Sequence, residues 1–145
     1  ALPIPVLVVS QDIAEKVKGQ QRPTRLLDGF VTGAPVTNRR VLVISARQHP
    51  GEVVASFAMQ GFLKFLLGPS LAAHMLRESF EFHVMPMVNV DGVVYGNSRC
   101  TFSGVDPNRV WDDPNPITHA VIHAVKSYLG ELANMGRSGI ELYLD

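Results

Sequence analysis

Cysteine, net charge and long apolar runs are all scarce in this chain of 145 residues. Cys100 is its one cysteine, which excludes an internal disulfide and fits a reducing compartment such as the cytoplasm. Its 13 basic and 13 acidic residues cancel, so no excess of charge favours nucleic acid or an anionic membrane as a partner. No apolar run is long enough to span a bilayer. These absences predict one globular domain in the cytoplasm, with neither nucleic acid nor a membrane as partner.

Strand and helix patterns alternate along the chain. Four strands are predicted, at residues 6–9, 41–45, 80–87 and 140–144, and the strand at 41–45 is the most continuously apolar. Helical patterns occupy residues 11–18 weakly, 53–66, a short segment capped by Ser70, and 116–135. Residues 89–115 are rich in Gly, Asn, Asp and Pro and predict ordered loops. Strands alternating with helices predict an α/β fold.

The most informative segment is Arg-Gln-His-Pro-Gly-Glu-Val at residues 47–53, between a predicted strand and a predicted helix. His49 and Glu52 can together bind one zinc ion, because zinc prefers imidazole nitrogen and carboxylate oxygen among such side chains. A catalytic zinc also needs a third protein ligand and an open position for water. The alternative is a surface histidine beside an acid that favours the first turn of a helix. The spacing alone leaves both interpretations open.

A second cluster of polar residues lies in the predicted loop at 99–111. Arg109 can hold a carboxylate through two parallel hydrogen bonds, and Asn108 can add a neutral donor. Arg99 can stabilise negative charge on a carbonyl oxygen, and Asp106 can accept the N–H of a metal-binding histidine. The alternative is a pair of solvated arginines beside residues that only form turns.

Other histidines offer a weaker metal-binding pattern. His119 and His123 lie four residues apart on a predicted helix, which suits a ligand pair but is more often a plain helix surface. His74 and His83 show no partner pattern. The Met and Phe residues of the 53–66 helix are typical of a core rather than of cofactor contacts.

Taken together, the two clusters resemble the M14 class of zinc carboxypeptidases, in particular its cytosolic branch, whose members trim glutamates from tubulin tails and other proteins. The matching motifs, in the family's order, are Ala-Arg-Gln-His-Pro-Gly-Glu at 46–52, Gly-Phe-Leu at 61–63, Pro-Met-Val-Asn-Val-Asp-Gly-Val at 86–93, Gly-Asn-Ser-Arg-Cys at 96–100 and Gly-Val-Asp-Pro-Asn-Arg at 104–109. The resemblance is strong over residues 41–111. It implies that residues 1–145 are the N-terminal part of one catalytic domain. The fold implied is a truncated, mixed and mostly parallel central sheet with helices on both faces.

The resemblance also implies a Zn²⁺ site. His49 and Glu52 match the family's first two zinc ligands, and Asp106 matches the acid that supports the histidine. The third ligand, a histidine, is expected beyond Asp145, as is the catalytic glutamate. We therefore expect this chain alone to hold zinc weakly and to be inactive, because two ligands rarely suffice.

Substrate recognition is implied in the same way. Arg99 matches the arginine that polarises the scissile carbonyl, and Asn108 and Arg109 match the pair that anchors the substrate's C-terminal carboxylate. Two positions depart from the family pattern, since Val90 replaces a proline and Pro107 replaces a small or apolar residue. Pro107 fixes φ beside the carboxylate clamp.

The implied reaction is zinc-dependent removal of C-terminal amino acids, with glutamate as a candidate, from peptides or proteins that include tubulin-like glutamate-rich tails. Two alternatives stay open at this point. One is a non-catalytic module that binds peptide C-termini through the arginine clamp. The other is a zinc amidohydrolase of acyl amino acids, which shares the His-x-x-Glu arrangement but fits the Asn-Arg pair less well.

Overall fold

The computed structural model of the chain describes residues 2–10, 26–27, 30–31, 39–135 and 139–145. Its strands are β1 (Leu7–Val9), β2 (Leu26–Leu27), β3 (Phe30–Val31), β4 (Arg40–Ser45), β5 (Phe80–Met85) and β6 (Ile140–Leu144). Its helices are α1 (Val53–Leu66), α2 (Leu71–Ser79), α3 (Val90–Val94) and α4 (Ala120–Met135), with a 3₁₀ turn at Pro107–Arg109. The weak helix predicted at 11–18 lies outside the described residues.

Four of the strands form one mixed, mostly parallel sheet in the order β1-β5-β4-β6. β4 runs parallel to both β5 and β6, whereas β1 pairs antiparallel with β5. β2 and β3 pair only with each other. The predicted sheet is therefore confirmed. Its three parallel strands end at one common edge, which is where open α/β sheets place their binding sites.

Helices cover both faces of this sheet. Because successive side chains of a strand point to opposite faces, each strand contributes residues to two separate cores. On one face the buried strand residues Val41, Val43 and Met85 join a core whose helical members come from α4, namely Val121, Ile122, Val125, Tyr128 and Leu132. On the other face Ile44, Phe82 and Val84 join Met59 and Leu66 of α1. A sheet buried on both sides explains why residues 41–44 are continuously apolar. β5 alternates instead, and its polar residues Glu81 and His83 are fully buried and hydrogen-bonded to each other at 2.8 Å.

Helix boundaries follow from identifiable capping groups. The Ser70 hydroxyl accepts the Ala73 N–H at 3.2 Å and starts α2, as its position in the sequence predicted. Arg77 Nη1 donates to the Leu66 carbonyl at 2.5 Å and to the Gly68 carbonyl at 3.1 Å. Carbonyls left unpaired at the end of α1 thus receive donors from α2.

The structure differs from the predicted elements in several places. The short strands β2 and β3 were not among the four predicted strands. β5 ends at Met85, two residues before the predicted end. Asn89 accepts the Gly92 N–H at 3.0 Å and starts the short helix α3 inside the predicted loop. α4 begins at Ala120 rather than at residue 116. The side-chain oxygen of Asn115 accepts the N–H groups of residues 117 and 118, so a turn precedes the helix.

No single helix among the described residues is long and apolar enough to cross a bilayer. Helices α1 and α2 reach that length and composition only as a pair, and the pair is bent by 91°. The buried residues Met59, Leu66 and Ala73 of these two helices face the interior of the protein.

Candidate metal and substrate site

The chain leaves the sheet edge through a strained turn at Arg47. Its φ of 58° lies in the left-handed region, which costs a residue other than glycine about 1–2 kcal/mol. The buried guanidinium donates to the Ser56 hydroxyl at 2.8 Å and to the Pro50 carbonyl at 2.6 Å. These bonds connect the loop after β4 to the first turns of α1, and so hold His49 and Glu52 beside the helix N-terminus.

Both ring nitrogens of His49 face a carboxylate. Nδ1 lies 2.9 Å from Oε1 of Glu52, and Nε2 lies 3.0 Å from Oδ1 of Asp106. His49 is 8% exposed, whereas the Glu52 side chain is 55% exposed. The structure thus brings together three residues that the sequence singled out, one of them 57 positions from the histidine.

These groups fit two ligands of a zinc site. If Nε2 of His49 donates its proton to Asp106, Nδ1 presents a lone pair to Glu52, whose carboxylate only accepts when it is ionised. A proton or a metal ion between the two facing lone pairs removes their repulsion. Zinc binds such nitrogen and oxygen atoms at about 2.0–2.2 Å, which places two ligands of a tetrahedral ion about 3.4 Å apart, so the two side chains would separate slightly to hold it. The described residues include no group of three or more His, Cys, Asp or Glu side chains able to hold a metal ion.

Asp106 is held in its charged form by its neighbours. Desolvation acts to raise its pKa, but hydrogen bonds from His49, the Asn108 N–H and Arg99, together with the charge of Arg99, lower the pKa to about 2. Nε of Arg99 lies 2.7 Å from Oδ2 of Asp106. An acceptor that stays ionised fixes the proton of His49 on Nε2 and leaves Nδ1 for the metal side.

Arg99 reaches this site through a close backbone contact. The Gly51 N–H donates to the Ser98 carbonyl at 2.7 Å. A Cβ atom added at Gly51 would lie 2.6 Å from that same carbonyl oxygen, so only glycine permits the approach. Arg99 is half-exposed, and its terminal nitrogens have no hydrogen-bond partner among the described residues. They are therefore available to a ligand.

Asn108 and Arg109 lie on the 3₁₀ turn that Asp106 caps. The Asn108 N–H donates to Oδ1 of Asp106 at 2.9 Å, and Nη1 of Arg109 donates to the Asn108 carbonyl at 3.0 Å. Both side chains are exposed. Pro107 occupies the first position of the turn, where its missing N–H and fixed φ are tolerated, so its departure from the family pattern fits the backbone. Val90 likewise holds the first position of α3.

A cavity of about 730 Å³ adjoins Asn108 and Arg109. Its lining includes Gln48, Asn108, Arg109, Trp111, Tyr143 and Asp145. A second cavity of about 420 Å³ lies on the other side of the end of β4, between α1 and the end of β6. Arg109 makes no hydrogen bond to His49 or Glu52 within the described part of the chain. Among the residues that it describes, the structure therefore places Asn108 and Arg109 beside the loop of His49, without a hydrogen bond from Arg109 to His49 itself.

Three of the other four histidines, His74, His83 and His119, have partners for their side chains. Nδ1 of His119 accepts the Asn115 N–H at 3.0 Å, in the turn before α4. His83 is fully buried, 2.6 Å from the Tyr128 hydroxyl and 2.8 Å from Glu81. Nε2 of His74 lies 3.3 Å from Glu78 on the same helix. In the described ranges these histidines belong to no cluster that could hold a metal.

Sequence reasoning missed a hydrogen-bonded group next to the site. Gln48 joins Trp111 to Asp145. Asp145 accepts the Ser45 hydroxyl, and that hydroxyl in turn lies 2.9 Å from the Tyr143 hydroxyl. One signal was present, since a lone tryptophan inside a polar loop needs a partner for its indole N–H when it is buried. No signal in the sequence pointed to Gln48 itself.

Comparison with known proteins identifies the family. Residues 4–129 match the family described as Zinc carboxypeptidase. Cytosolic carboxypeptidase 6 of Mus musculus is 38% identical over 132 residues, covering 88% of this chain and 24% of the mouse protein. Cytosolic carboxypeptidase 1 of Gallus gallus is 47% identical over 100 residues, covering 69% of this chain and 8% of the chicken protein.

A solved structure agrees in fold. The crystal structure of a metallo-carboxypeptidase from Burkholderia cenocepacia superposes with a TM-score of 0.68 at 24% identity, over 95% of this chain and 31% of that one. The chain thus spans a quarter or less of the two relatives and about a third of this structure. The family match covers most of its length, and the chain belongs to the zinc carboxypeptidase family.

Proposed function

We propose that the full-length protein is a zinc-dependent carboxypeptidase and that residues 1–145 form the N-terminal part of its catalytic domain. In this proposal His49 and Glu52 are two zinc ligands, and a histidine outside residues 1–145 is the third. Asp106 orients His49. The observation that carries the proposal is the pair of contacts of His49, whose Nδ1 lies 2.9 Å from Glu52 while its Nε2 lies 3.0 Å from Asp106.

The substrate is bound at its C-terminal end. Arg109 forms two hydrogen bonds with the terminal carboxylate, and Asn108 adds a third donor, which restricts cleavage to chain ends. Arg99 donates from its free terminal nitrogens to the carbonyl oxygen of the last peptide bond, where negative charge grows. Two observations support these roles. Asn108 and Arg109 line one cavity, and the loop of Arg99 contacts Gly51 through the Ser98 carbonyl.

The reaction is hydrolysis of the last peptide bond. Water adds to the carbonyl carbon, the C–N bond breaks, and the leaving amine takes a proton. When bound, zinc supplies Lewis acidity for the attacking water and for the carbonyl. The general base lies outside residues 1–145. For that reason we propose that these residues alone bind zinc weakly and hydrolyse peptides negligibly.

Glutamate is the proposed residue released, and glutamate-rich protein tails such as those of tubulin are proposed substrates. The support is the resemblance of the His-Pro-Gly-Glu motif to the cytosolic branch, together with relatives that are named cytosolic carboxypeptidases. The same names support a cytosolic location. The zero net charge supports the absence of nucleic acid and membrane partners.

The test uses the purified full-length protein and pairs of peptides that differ only in a free or an amidated C-terminus. We expect release of the last residue from free-acid peptides, fastest when it is glutamate, and none after zinc is removed. Arg109→Lys should lose most of the preference for the free acid, because lysine cannot form the two-pronged bond. Peptide binding without cleavage would support a non-catalytic module, and cleavage of small acyl amino acids alone would support an amidohydrolase.

A further inference from the structure

Gln48 is a buried amide that contacts two separate segments of the chain. It is 6% exposed. Its Nε2 donates to Oδ2 of Asp145 at 2.7 Å, and its Oε1 accepts the indole N–H of Trp111 at 2.8 Å. A glutamine is seldom buried, and a buried amide left without partners costs about 1–3 kcal/mol. The side chain is therefore fixed in one position, between the end of β6 and the loop after the 3₁₀ turn.

One of these partners carries the clamp. Trp111 follows Arg109 by two residues, and the side chains of Gln48, Trp111, Asn108 and Arg109 line the same cavity. The clamp turn begins at Asp106, which contacts His49. It is thus attached at its start to His49 and just after its end to Gln48, which are adjacent residues. Two attachments to one dipeptide determine where the clamp lies relative to the metal side of the site.

The other partner connects Gln48 to the sheet. Oδ1 of Asp145 accepts the Ser45 hydroxyl at 2.5 Å, and that hydroxyl lies 2.9 Å from the Tyr143 hydroxyl. The rings of Tyr143 and Trp111 pack edge to face, with centroids 6.2 Å apart. The group therefore closes on itself around the ends of β4 and β6. Through Asp145 and Ser45, Gln48 is connected to the ends of β6 and β4 as well as to the loop of Trp111, and attachment to regular elements favours precise placement of a binding group.

A further contact restrains the same loop. Nζ of Lys126, on α4, donates to the carbonyls of Trp111 and Asp112 at 2.8 and 2.6 Å. This exposed contact holds the backbone of the loop against the helix. It does not reach the loop that carries His49. Among the described residues, the side-chain hydrogen bonds that join the two loops are those of Gln48 with Trp111 and of Asp106 with His49.

We propose that Gln48 is a positioning residue that sets the distance between the carboxylate clamp of Asn108 and Arg109 and the metal-binding loop. The inference rests on the proposed function, because it assigns the clamp to a substrate carboxylate. Gln48 touches neither the substrate nor the metal. Its removal lets the Trp111 end of the clamp loop move, which weakens carboxylate binding while the ligands of the metal stay in place.

The first experiment measures peptide binding to the metal-free full-length protein. Calorimetry compares the affinity for a glutamate-terminated peptide with the affinity for its C-terminal amide. The difference measures recognition of the terminal carboxylate and does not depend on catalysis. Gln48→Leu and Trp111→Phe should each reduce the preference for the free acid about three- to tenfold, the effect of one hydrogen bond. The double variant should lose no more than the larger single loss, because both changes break the same bond.

The matched control is Gln60→Leu, which makes the same substitution at an exposed position of α1. This variant should bind both peptides as the wild type does. In the zinc-loaded protein, Gln48→Leu should raise KM about three- to tenfold with kcat within about twofold, since a lost contact of the bound ground state appears in KM. Its zinc content should equal that of the wild type.

The outcomes separate the inference from the function on which it rests. A wild type that binds acid and amide equally contradicts the proposed clamp, and the inference falls with it. A wild type that prefers the acid, with the same preference in Gln48→Leu, overturns the inference alone. Loss of zinc in Gln48→Leu also overturns it, because Gln48 would then act on His49 rather than on the clamp. Additive losses in the double variant would exclude the Gln48–Trp111 bond as the cause.

Discussion

The backbone N–H of Gly51 donates to the carbonyl oxygen of Ser98 at 2.7 Å, and a Cβ atom at position 51 would meet that oxygen at 2.6 Å. This contact docks the loop of Arg99 against the loop of His49 and Glu52. The two loops lie far apart in the sequence, one after β4 and the other after α3. Because Gly51 has no side chain, the candidate metal ligands and the candidate carbonyl-binding arginine can lie in one site.

Gly51→Ala should therefore destabilise the protein by about 1–3 kcal/mol, because the carbonyl of Ser98 must move. Gly61 is the control, since nothing lies within 4 Å of a Cβ atom added there in the middle of α1. Gly61→Ala should stabilise the protein by about 0.5–1 kcal/mol through helix propensity. Denaturant unfolding of both variants measures the two effects. Equal stability in Gly51→Ala and the wild type would contradict the close approach.

Asp106→Asn should lower zinc affinity about 10- to 100-fold, the usual effect of removing the carboxylate that orients a metal-binding histidine. The amide keeps the size of the side chain but loses the charge that fixes the proton of His49. Competition with a chelator on the full-length protein measures the change. Asp113→Asn, at an exposed position of the same loop region, is the matched control. Unchanged affinity in Asp106→Asn would remove Asp106 from the site.

The buried phenol of Tyr128 should make the stability of the protein depend on pH in the alkaline range. Burial is the main cause that raises its pKa, and the charges of Glu81 and Glu131 raise it further. Because the pKa of the folded state lies above the unfolded value of about 10, the contribution of Tyr128 to stability is complete below that pH and is lost as the pH rises above it. The difference between the ultraviolet titration curves of the wild type and Tyr128→Phe isolates this one phenol. Ionisation at or below its ordinary pKa would contradict the buried hydrogen bond to His83.

Leu66 and Leu67 test the position of the core beneath α1. Leu66 is fully buried, whereas the next residue, Leu67, is 61% exposed. Leu66→Ala should cost about 2–5 kcal/mol of unfolding free energy through lost burial and a cavity. Leu67→Ala should stay within about 0.5 kcal/mol of the wild type. Equal losses would mean that α1 presents another face to the sheet.

The sheet and its main helices were predictable because burial dictates their patterns. Residues 41–44 are continuously apolar since helices cover both faces of their sheet. In β5 the polar residues Glu81 and His83 are fully buried as well, which the alternating sequence of that strand did not indicate. The short helix α3 was not predictable from composition, because its Asp and Gly residues favour loops in isolation. Its start depends on the Asn89 side chain, which is fully buried in the folded protein. Tertiary burial, not propensity, determines that element.

The candidate site was predictable in its residue types but not in its contacts. His49 and Glu52 are near neighbours in the sequence, so their spacing carries information about a shared ligand. Asp106 lies 57 residues further on. Its chemistry made it a candidate partner of a metal-binding histidine, but only the family resemblance assigned that histidine to position 49 before the structure did. Gln48 and Trp111 meet because the strands bring two loops to one edge. No local sequence pattern predicts such a long-range contact.

The central claim is that His49 holds a metal ion together with Glu52. The most direct measurement is the zinc content of the purified full-length protein beside that of His49→Ala, with His74→Ala as the control at a histidine paired only with Glu78. We predict a single tightly bound zinc ion in the wild type and in the control, and a large loss of zinc in His49→Ala. Equal zinc in all three proteins would contradict the account.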